Sequence, residues 1–587
     1  MRIGKVITFL CLTMGTSSFK IRSFKRRGCT GESEVFNVWD NTCATPNYLT
    51  QSFQVLAYGR HRQRAYFYNS NSDPWTGQTA YGARGQPIYK RRGLRGPSTF
   101  ITLKPNISSL ALTIYLITTI LTMSRRSVDD ILTELEPLTS QLDPKDVITQ
   151  SHPDYGVHVT TFSTKKDLRP PVVFVPSETE ALSKIIRFLY KSKLDFHIRG
   201  HGFGSPSAQD VMISLLRFTS FEYDTTRKLA TIGTGVTWIE VAKNMREVDP
   251  EYSVAVARTP SVAVGGSILH GGYSWMTSEF GCISDPVNFV DAEVVKYDGT
   301  IVMASTEPDL LWALRGSGGG FGVMTKAVLR AHPYSTAIWS GIILIPRKDL
   351  RTLAQQILSF ISKPQHPKVN CLAYLVQEFM LSKILDEDQL RSVTGDMLGV
   401  HVFDGCGEAH GREAFKWALE MPGAVDLTTV TDMKGVVDMQ QNVATLRSTM
   451  TNFRALPLAM ADLDEDTIVR TIEWHDRVRD VDPQIHGLTM TVLELLVFAP
   501  PIGGISEVAW PRPLDAKHYL LIITGCPANG TDEQEAKARD LILNAPQEIL
   551  KDHEADAMVM PPGLDDLQDP KKVSLIPNCP WKYCSMY

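Results

Sequence analysis

Arg199-Gly200-His201-Gly202-Phe203-Gly204-Ser205 follows directly on a short strand-like run, Phe196 to Ile198. Glycines at three alternate positions let the backbone approach a ligand and turn its N–H groups inward, the concave geometry that binds phosphate oxygens. Arg199 adds a positive charge at the end of the run. Taken alone, such a loop is more often a tight turn than a binding site. A second stretch weighs against the turn: Thr259-Pro260-Ser261-Val262-Ala263-Val264-Gly265-Gly266, continuing through Ser267-Ile268-Leu269-His270-Gly271-Gly272-Tyr273. Its two Gly-Gly pairs suit backbone passing close under a flat ring and its pyrophosphate, or equally a packed loop–helix junction that needs small residues.

Outward from these loops, short β-branched runs alternate with amphipathic helices. Val128 to Glu136 reads as helix and Val172 to Val175 as strand. Ser177-Glu178-Thr179-Glu180 has the form of a capping box, predicting a helix through Lys191 with Leu182, Ile185, Ile186 and Leu189 on its apolar face. Strands are predicted at Met212 to Leu215 and Leu229 to Ile232, with a helix over Val236 to Val248. Gly281-Cys282-Ile283-Ser284-Asp285-Pro286-Val287-Asn288 leads into a strand at Val290 to Tyr297, and Asp298-Gly299 is a hairpin signal into Thr300 to Met303. The helical run Leu310 to Leu314 then ends in Arg315-Gly316-Ser317-Gly318-Gly319-Gly320-Phe321-Gly322-Val323. Mixed elements of this kind indicate an α+β or α/β unit. Residues 337–530 change character: strands at Ile338 to Ile345 and Tyr519 to Thr524, with helices at Leu350 to Ile361 and Glu408 to Met421, predict a second domain built on an antiparallel sheet backed by helices.

The four glycine- and turn-rich pieces, in this order, resemble the FAD-binding domain of the PCMH or vanillyl-alcohol-oxidase type, specifically the berberine-bridge-enzyme-like oxidoreductases. That family shows Arg-(Ser/Gly)-Gly-Gly-His-Ser, then Cys-Pro-x-Val-x-x-Gly-Gly, then Ser-Asp-x-Val before a strand and an Asp-Gly hairpin, then Leu-Phe-Trp-Ala-Leu-Arg-Gly-Gly-Gly before Phe-Gly-Val. Further on, Pro501-Ile502-Gly503-Gly504 and Ala509-Trp510-Pro511-Arg512 are similar to its Pro-Tyr-Gly-Gly and Ala-Phe-Pro-His-Arg. The resemblance runs from about Pro153 to Pro527. It implies an α+β fold: a two-part FAD-binding domain over residues 123–335, a substrate domain over 336–530, and a segment 531–587 partly returning to the FAD domain. It also implies FAD as cofactor, contacted by Arg199, Gly200, His201, Gly202, Phe203, Gly204, Ser205, Thr259, Pro260, Ser261, Val262, Gly265, Gly266, Gly271, Gly272, Tyr273, Asp285 and Val294. The implied activity is oxidation of a small molecule, an alcohol, an amine or a secondary-metabolite C–H, by hydride transfer to flavin with reoxidation by O2. Phe203 falls where the family carries its flavin-linking His, and Thr259 where bicovalent members carry Cys, so the expectation is FAD held without covalent links. His201, two residues earlier, reads as an ordinary loop histidine.

The family places a Glu or Tyr base on the sheet of the substrate domain. Glu494, an acidic side chain within the apolar run Thr489 to Val497, is the first candidate; solvent exposure or pairing with a basic neighbour is the competing reading. Tyr374 and Glu378 are weaker candidates.

Composition narrows the alternatives. The chain has 587 residues, 43% apolar and 21% charged, with a formal charge of −4 and hence no basic field directed at nucleic acid. Its nine cysteines show no CxxC pair, against a zinc ribbon or disulfide framework and in keeping with reduced, packed thiols. No metal ligand set is expected. Gly233-Thr234-Gly235 has Trp238 where a dinucleotide fingerprint needs its third glycine, so a nicotinamide enzyme is a poor match. Residues 1–122 have a different texture, expected to be an extension that is disordered or lies upstream of a true start at Met123. The apolar run Leu110 to Met123 is shorter than the ~20 residues of a membrane helix, so membrane association is not expected. A start at Met123 implies the cytoplasm, whereas use of the apolar runs implies secretion or membrane association. Near the C-terminus, Asp569 to Tyr587 does not match the family's closing Tyr-Gly-x-Asn segment. That departure supports the alternative reading, an inactive relative acting as a binding module.

Overall fold

The structure is a computed structural model. It describes residues 126–551 except 165–166, 205, 364, 378–380, 382–384, 394, 441–449, 461, 496–506 and 510–517, with short strands within 18–88 and at Ala557–Val559. Two compact units result, Met1–Arg125 with Pro580–Tyr587, and Arg126–Cys579. In the first, where the sequence suggests an irregular extension, Thr30–Trp39, Ser18–Arg26 and Ser52–Ala57 form an antiparallel sheet in that order. The pairs Ala65–Tyr66, Ala80–Tyr81 and Pro87–Ile88 form a smaller one. The run Leu110 to Met123, the motifs Pro501–Gly504 and Trp510–Arg512, and the tail from Asp569 lie outside the described residues. Among those described, no helix is long and apolar enough to cross a membrane.

Among the described residues, the second unit holds three sheets. The smallest has the order Val147–Thr149, Val172–Phe174, Val211–Ser214, Phe196–Arg199, and Val211–Ser214 runs parallel to both neighbours. The helix Thr179–Lys191 covers it, burying Leu182, Ile185, Ile186 and Leu189 as its spacing predicts. The expected capping box does not form. The helix begins at Thr179 with Glu178 at the cap position and no side-chain cap bond, and the Thr179 hydroxyl donates to Glu293 Oε1 at 2.8 Å on a neighbouring strand.

The next sheet is antiparallel, in the order Phe221–Asp224, Leu229–Gly233, Val323–Pro333, Phe289–Val295, Ile301–Met303. Gly299, at φ +82°, closes the hairpin between the last two. This arrangement excludes a dinucleotide fold at Gly233-Thr234-Gly235, because that motif needs a parallel βαβ unit. The two glycines are required for packing: a Cβ on either would lie 2.2 Å from the carbonyl oxygen of Phe218 or Leu215.

The largest sheet has eight strands, in the order Val425–Thr431, Ile338–Pro346, Met397–Asp404, Val369–Val376, Met490–Leu495, His518–Pro527, Met450–Met460, Ala557–Val559. All of its pairings are antiparallel. Successive side chains on a strand point to opposite faces. Cys371, Ala373, Leu375, Val400, Val402, Leu493, Leu520 and Ile522 therefore join one core with the helices Leu350–Ile361, Glu465–Val481 and Asp532–Leu550. Leu372, Tyr374, Phe403, Val492 and Leu521 face the other way, into a core shared with the middle sheet. The helical layer thus extends past residue 530. The helix expected over Glu408 to Met421 is broken into Glu408–Ala414 and Lys416–Leu419 around Phe415, which turns fully into the core.

Candidate functional site

The two glycine loops quoted from the sequence meet in space. A Cβ on Gly200 would stand 2.9 Å from the Ala263 Cβ, and one on Gly202, at φ +77°, 2.6 Å from the Arg199 guanidinium carbon. Arg199, 1% exposed, therefore lies beneath its own loop and supports it from inside. His201 Nε2 is 3.0 Å from the Gly235 carbonyl oxygen, and the Phe203 ring packs on Phe162 at 5.3 Å. The second loop is held by the helix Trp238–Val248, whose first N–H groups lack intrahelical partners. Trp238 N–H donates to the Val262 carbonyl at 3.2 Å and Ile239 N–H to that of Pro260 at 3.0 Å. Gly271 and Gly272, both at positive φ, accept from Ser284 and Ile283 N–H at 2.9 Å, which docks the third motif against the second.

The glycines divide into two kinds. Gly200, Gly202 and Gly265 are small because protein atoms press on them; a Cβ on Gly265 would be 2.9 Å from that of Thr234. Among the described residues, Gly204 and Gly266 have nothing within 4 Å of where a Cβ would sit. Their bare backbone faces open space, the surface a flat ligand needs. Between them in the chain, Ser261 has a buried hydroxyl with no hydrogen-bond partner among the described residues, a polar group available to a ligand. Thr259 is half-buried at the start of this loop. Asp285 faces inward: its carboxylate accepts from Cys282 N–H at 2.9 Å and closes the turn. Val294 lies in the core of the middle sheet. Ser205 and Glu378 fall outside the described residues.

Across from the second loop, strand register lines up Tyr519, Glu494, Leu372 and His401 as one row over four adjacent strands. Tyr374, two positions along from Leu372, shares their face. Arg258, immediately before Thr259, reaches this row: its guanidinium donates to Glu494 Oε2 at 2.6 Å, and each side chain is 10% exposed. The Tyr273 ring lies 5.3 Å from that of Tyr519, and Arg258 sits 5.8 Å and 6.0 Å from the Tyr273 and Trp275 rings. Trp275 packs on His401 and Phe403 at 4.9 Å and 5.5 Å. Beside it, Asn370 ties sheet to loop, accepting from the Ser278 hydroxyl at 2.6 Å and donating to the Trp275 carbonyl at 2.7 Å.

Desolvation governs the ionisable groups here. Burial, and next the neighbouring Tyr519, push the Tyr273 hydroxyl well above its ordinary pKa. Burial does the same to Tyr374. His401 is lowered to about 4, by burial first and the Arg258 charge second. Near neutral pH these groups are neutral hydrogen-bonding partners. The pairing of Glu494 with a basic neighbour is the arrangement found. The neighbour lies 236 positions away in the chain, which no local pattern could show. Arg258, Tyr519 and His401 were not marked by the sequence motifs. Alternation along the strands places Tyr519 on the face of Glu494 once the register is known.

Residues 170–305 match the family model described as the FAD-binding domain. An FAD-linked oxidoreductase of Arthroderma benhamiae is 28% identical over 201 residues, covering 33% of this chain and 39% of the relative. The chain thus spans about two fifths of the length of that curated relative. Among solved structures, berberine bridge enzyme from Eschscholzia californica aligns with TM-score 0.57 and 15% identity over 72% of this chain and 84% of its own. The 6-hydroxy-D-nicotine oxidase from Arthrobacter nicotinovorans aligns with TM-score 0.56 and 18% identity over 70% and 92%. The loops that meet at Gly200 and Ala263 therefore lie within the stretch that matches an FAD-binding domain, and the chain shares the fold of these two solved structures.

Proposed function

We propose that the protein is an FAD-dependent oxidoreductase acting on a small organic substrate, an alcohol, an amine or a secondary-metabolite C–H. The substrate sits between the glycine loops and the row Tyr519–Glu494–Leu372–His401. The observation that carries this reading is the Arg258–Glu494 pair, which fixes a carboxylate of the sheet beside the loop that starts at Thr259. The bare backbone at Gly204 and Gly266 and the unpartnered Ser261 hydroxyl would hold the cofactor. Phe203 offers no imidazole and Thr259 no thiol, so the cofactor is held without covalent attachment. When bound, FAD supplies the two-electron acceptor and O2 the means of its reoxidation. The chain's part is to orient substrate and manage a proton. Glu494 accepts the proton leaving the substrate heteroatom while Arg258 fixes its geometry. Tyr374 and Tyr519 lie on that face of the sheet and Tyr273 packs on Tyr519 from the loop, so that their hydroxyls orient the substrate.

The test is rapid-mixing reduction of the flavin in Glu494→Gln with any substrate the parent turns over. We expect FAD to bind as in the parent and reduction to slow by about 10²–10⁴-fold, the usual contribution of a general base. Reduction at the parent rate would remove Glu494 from the chemistry.

A further inference from the structure

At the end of the strand Met397–Asp404, the chain turns through Gly405 and Cys406 into the helix Glu408–Ala414. Asp404, Cys406 and His410 there bring a carboxylate oxygen, a thiol sulfur and an imidazole nitrogen within 4.8 Å of one another. The geometry is enforced locally. Asp404 is fully buried, and its two oxygens are aimed by different bonds: Cys406 N–H donates to Oδ1 at 2.7 Å, and His410 Nδ1 lies 2.6 Å from Oδ2. Gly407, at φ +101°, makes the turn that returns His410 over the carboxylate. A fourth donor arrives from another segment: His366, before the strand Val369–Val376, places Nδ1 3.4 Å from the Cys406 sulfur. The His366 and His410 rings are 5.9 Å apart and near-perpendicular.

We propose that Asp404, Cys406, His410 and His366 form a binding site for a borderline-soft divalent transition-metal ion of the zinc class. Tetrahedral zinc holds Cys sulfur at about 2.3 Å and His nitrogen at about 2.0 Å, so its ligand atoms stand roughly 3.3–3.8 Å apart. Three of the four donors already lie in that range or within about an ångström of it. A thiolate with two imidazoles selects zinc-like ions over magnesium or calcium, and one carboxylate is compatible with the set. Binding replaces shared protons by the ion: the Cys406 S–H bond breaks, a metal–sulfur bond forms, and one proton leaves to solvent. Lys368, a neighbouring cation, sits 5.0 Å over the Tyr334 ring and 4.0 Å from Glu279. His366 Nδ1 also accepts from Lys368 N–H at 3.2 Å, so it must turn slightly to complete the set and is its weakest member. The site lies at the end of an interior strand of the large sheet and does not rest on the flavin reading.

The experiment uses the full chain without a polyhistidine tag, stripped of metal and reduced. Cobalt(II) is titrated in while the difference spectrum is recorded against the same protein before addition, so that flavin absorbance cancels. A sulfur-to-cobalt charge-transfer band saturating at one ion per chain, displaced by zinc, is the expected result. Cys406→Ser must abolish the band, and His410→Ala must weaken binding at least tenfold. His366→Ala must weaken it less. Cys406 and His410 are exposed, so neither substitution threatens the fold, which circular dichroism checks. An unchanged band in Cys406→Ser, or no band in the parent, overturns the assignment.

Discussion

Gly265 and Gly266 are adjacent in the chain and in the same short helix, Val264–Leu269, yet should respond in opposite ways to an added methyl. Neither has a positive φ that would strain alanine, and alanine is favoured over glycine in helices by up to about 1 kcal/mol. At Gly266 the new carbon meets no atom of the described residues within 4 Å, so Gly266→Ala should leave the apoprotein as stable as the parent or slightly more so. If that space belongs to the cofactor, the methyl is forced into a fitted contact. Such a contact costs about 1–3 kcal/mol, which converts to roughly 5- to 150-fold weaker FAD binding. At Gly265 the carbon would stand 2.9 Å from the Thr234 Cβ. Gly265→Ala should therefore lose about 1–3 kcal/mol of stability, with FAD affinity falling only through that distortion. The assay is titration of each apoprotein with FAD, followed by flavin fluorescence, beside thermal melts without cofactor. Parent-like FAD affinity in Gly266→Ala would refute the idea that the open glycines cradle the ring system.

Three further outcomes follow from the same packing. Arg258→Met removes one partner of a pair in which each side chain is 10% exposed, and breaking such a pair costs about 3–5 kcal/mol; Arg258→Met with Glu494→Gln should be less damaging than the sum of the two, and additive melts would show that they do not interact. Asn370→Leu strands the Ser278 hydroxyl and the Trp275 carbonyl, at about 1–3 kcal/mol for each group left unsatisfied, and should lower the melting temperature without changing substrate-free FAD absorbance; an unchanged melt refutes the bridge. His158, His332, His401 and His486 are each lowered to about 4 in the folded state, chiefly by burial. The unfolded chain then binds more protons between about pH 6.5 and 4, so stability is full above that window and falls through it as pH drops, by up to about 1.4 kcal/mol per pH unit per histidine. A melting temperature flat from about pH 6.5 to 4 contradicts this.

The parts legible in the sequence are those set by local rules. Period-3.6 spacing put Leu182, Ile185, Ile186 and Leu189 on a buried helix face, and Asp298-Gly299 marked a hairpin, because both depend on neighbours a few residues away. Local rules failed where a distant group competed. Phe415 entered the core and split the helix after Glu408. At the site, the glycine loops could be read, but not which glycines face a ligand. That depends on whether Ala263, Arg199 or Thr234 lies opposite, which only the folded chain decides. Glu494 could be singled out as an acid in an apolar run. Its partner Arg258, and the row it shares with Tyr519 and His401, required the strand register. Three donors at the Asp404 cluster lie within seven residues, but the fourth, His366, comes from a different segment and no local spacing could show it.

Binding of FAD by the loops at Arg199–Gly204 and Thr259–Tyr273, without a covalent bond, is tested most directly by the visible spectrum of the purified full-length chain. FAD is added, the excess is removed, and the protein is then precipitated with acid. Flavin absorbance at one equivalent per chain, all of it released to the supernatant, is the expected result. Protein that retains no flavin contradicts the binding site, and flavin that stays with the pellet contradicts the reading of Phe203 and Thr259.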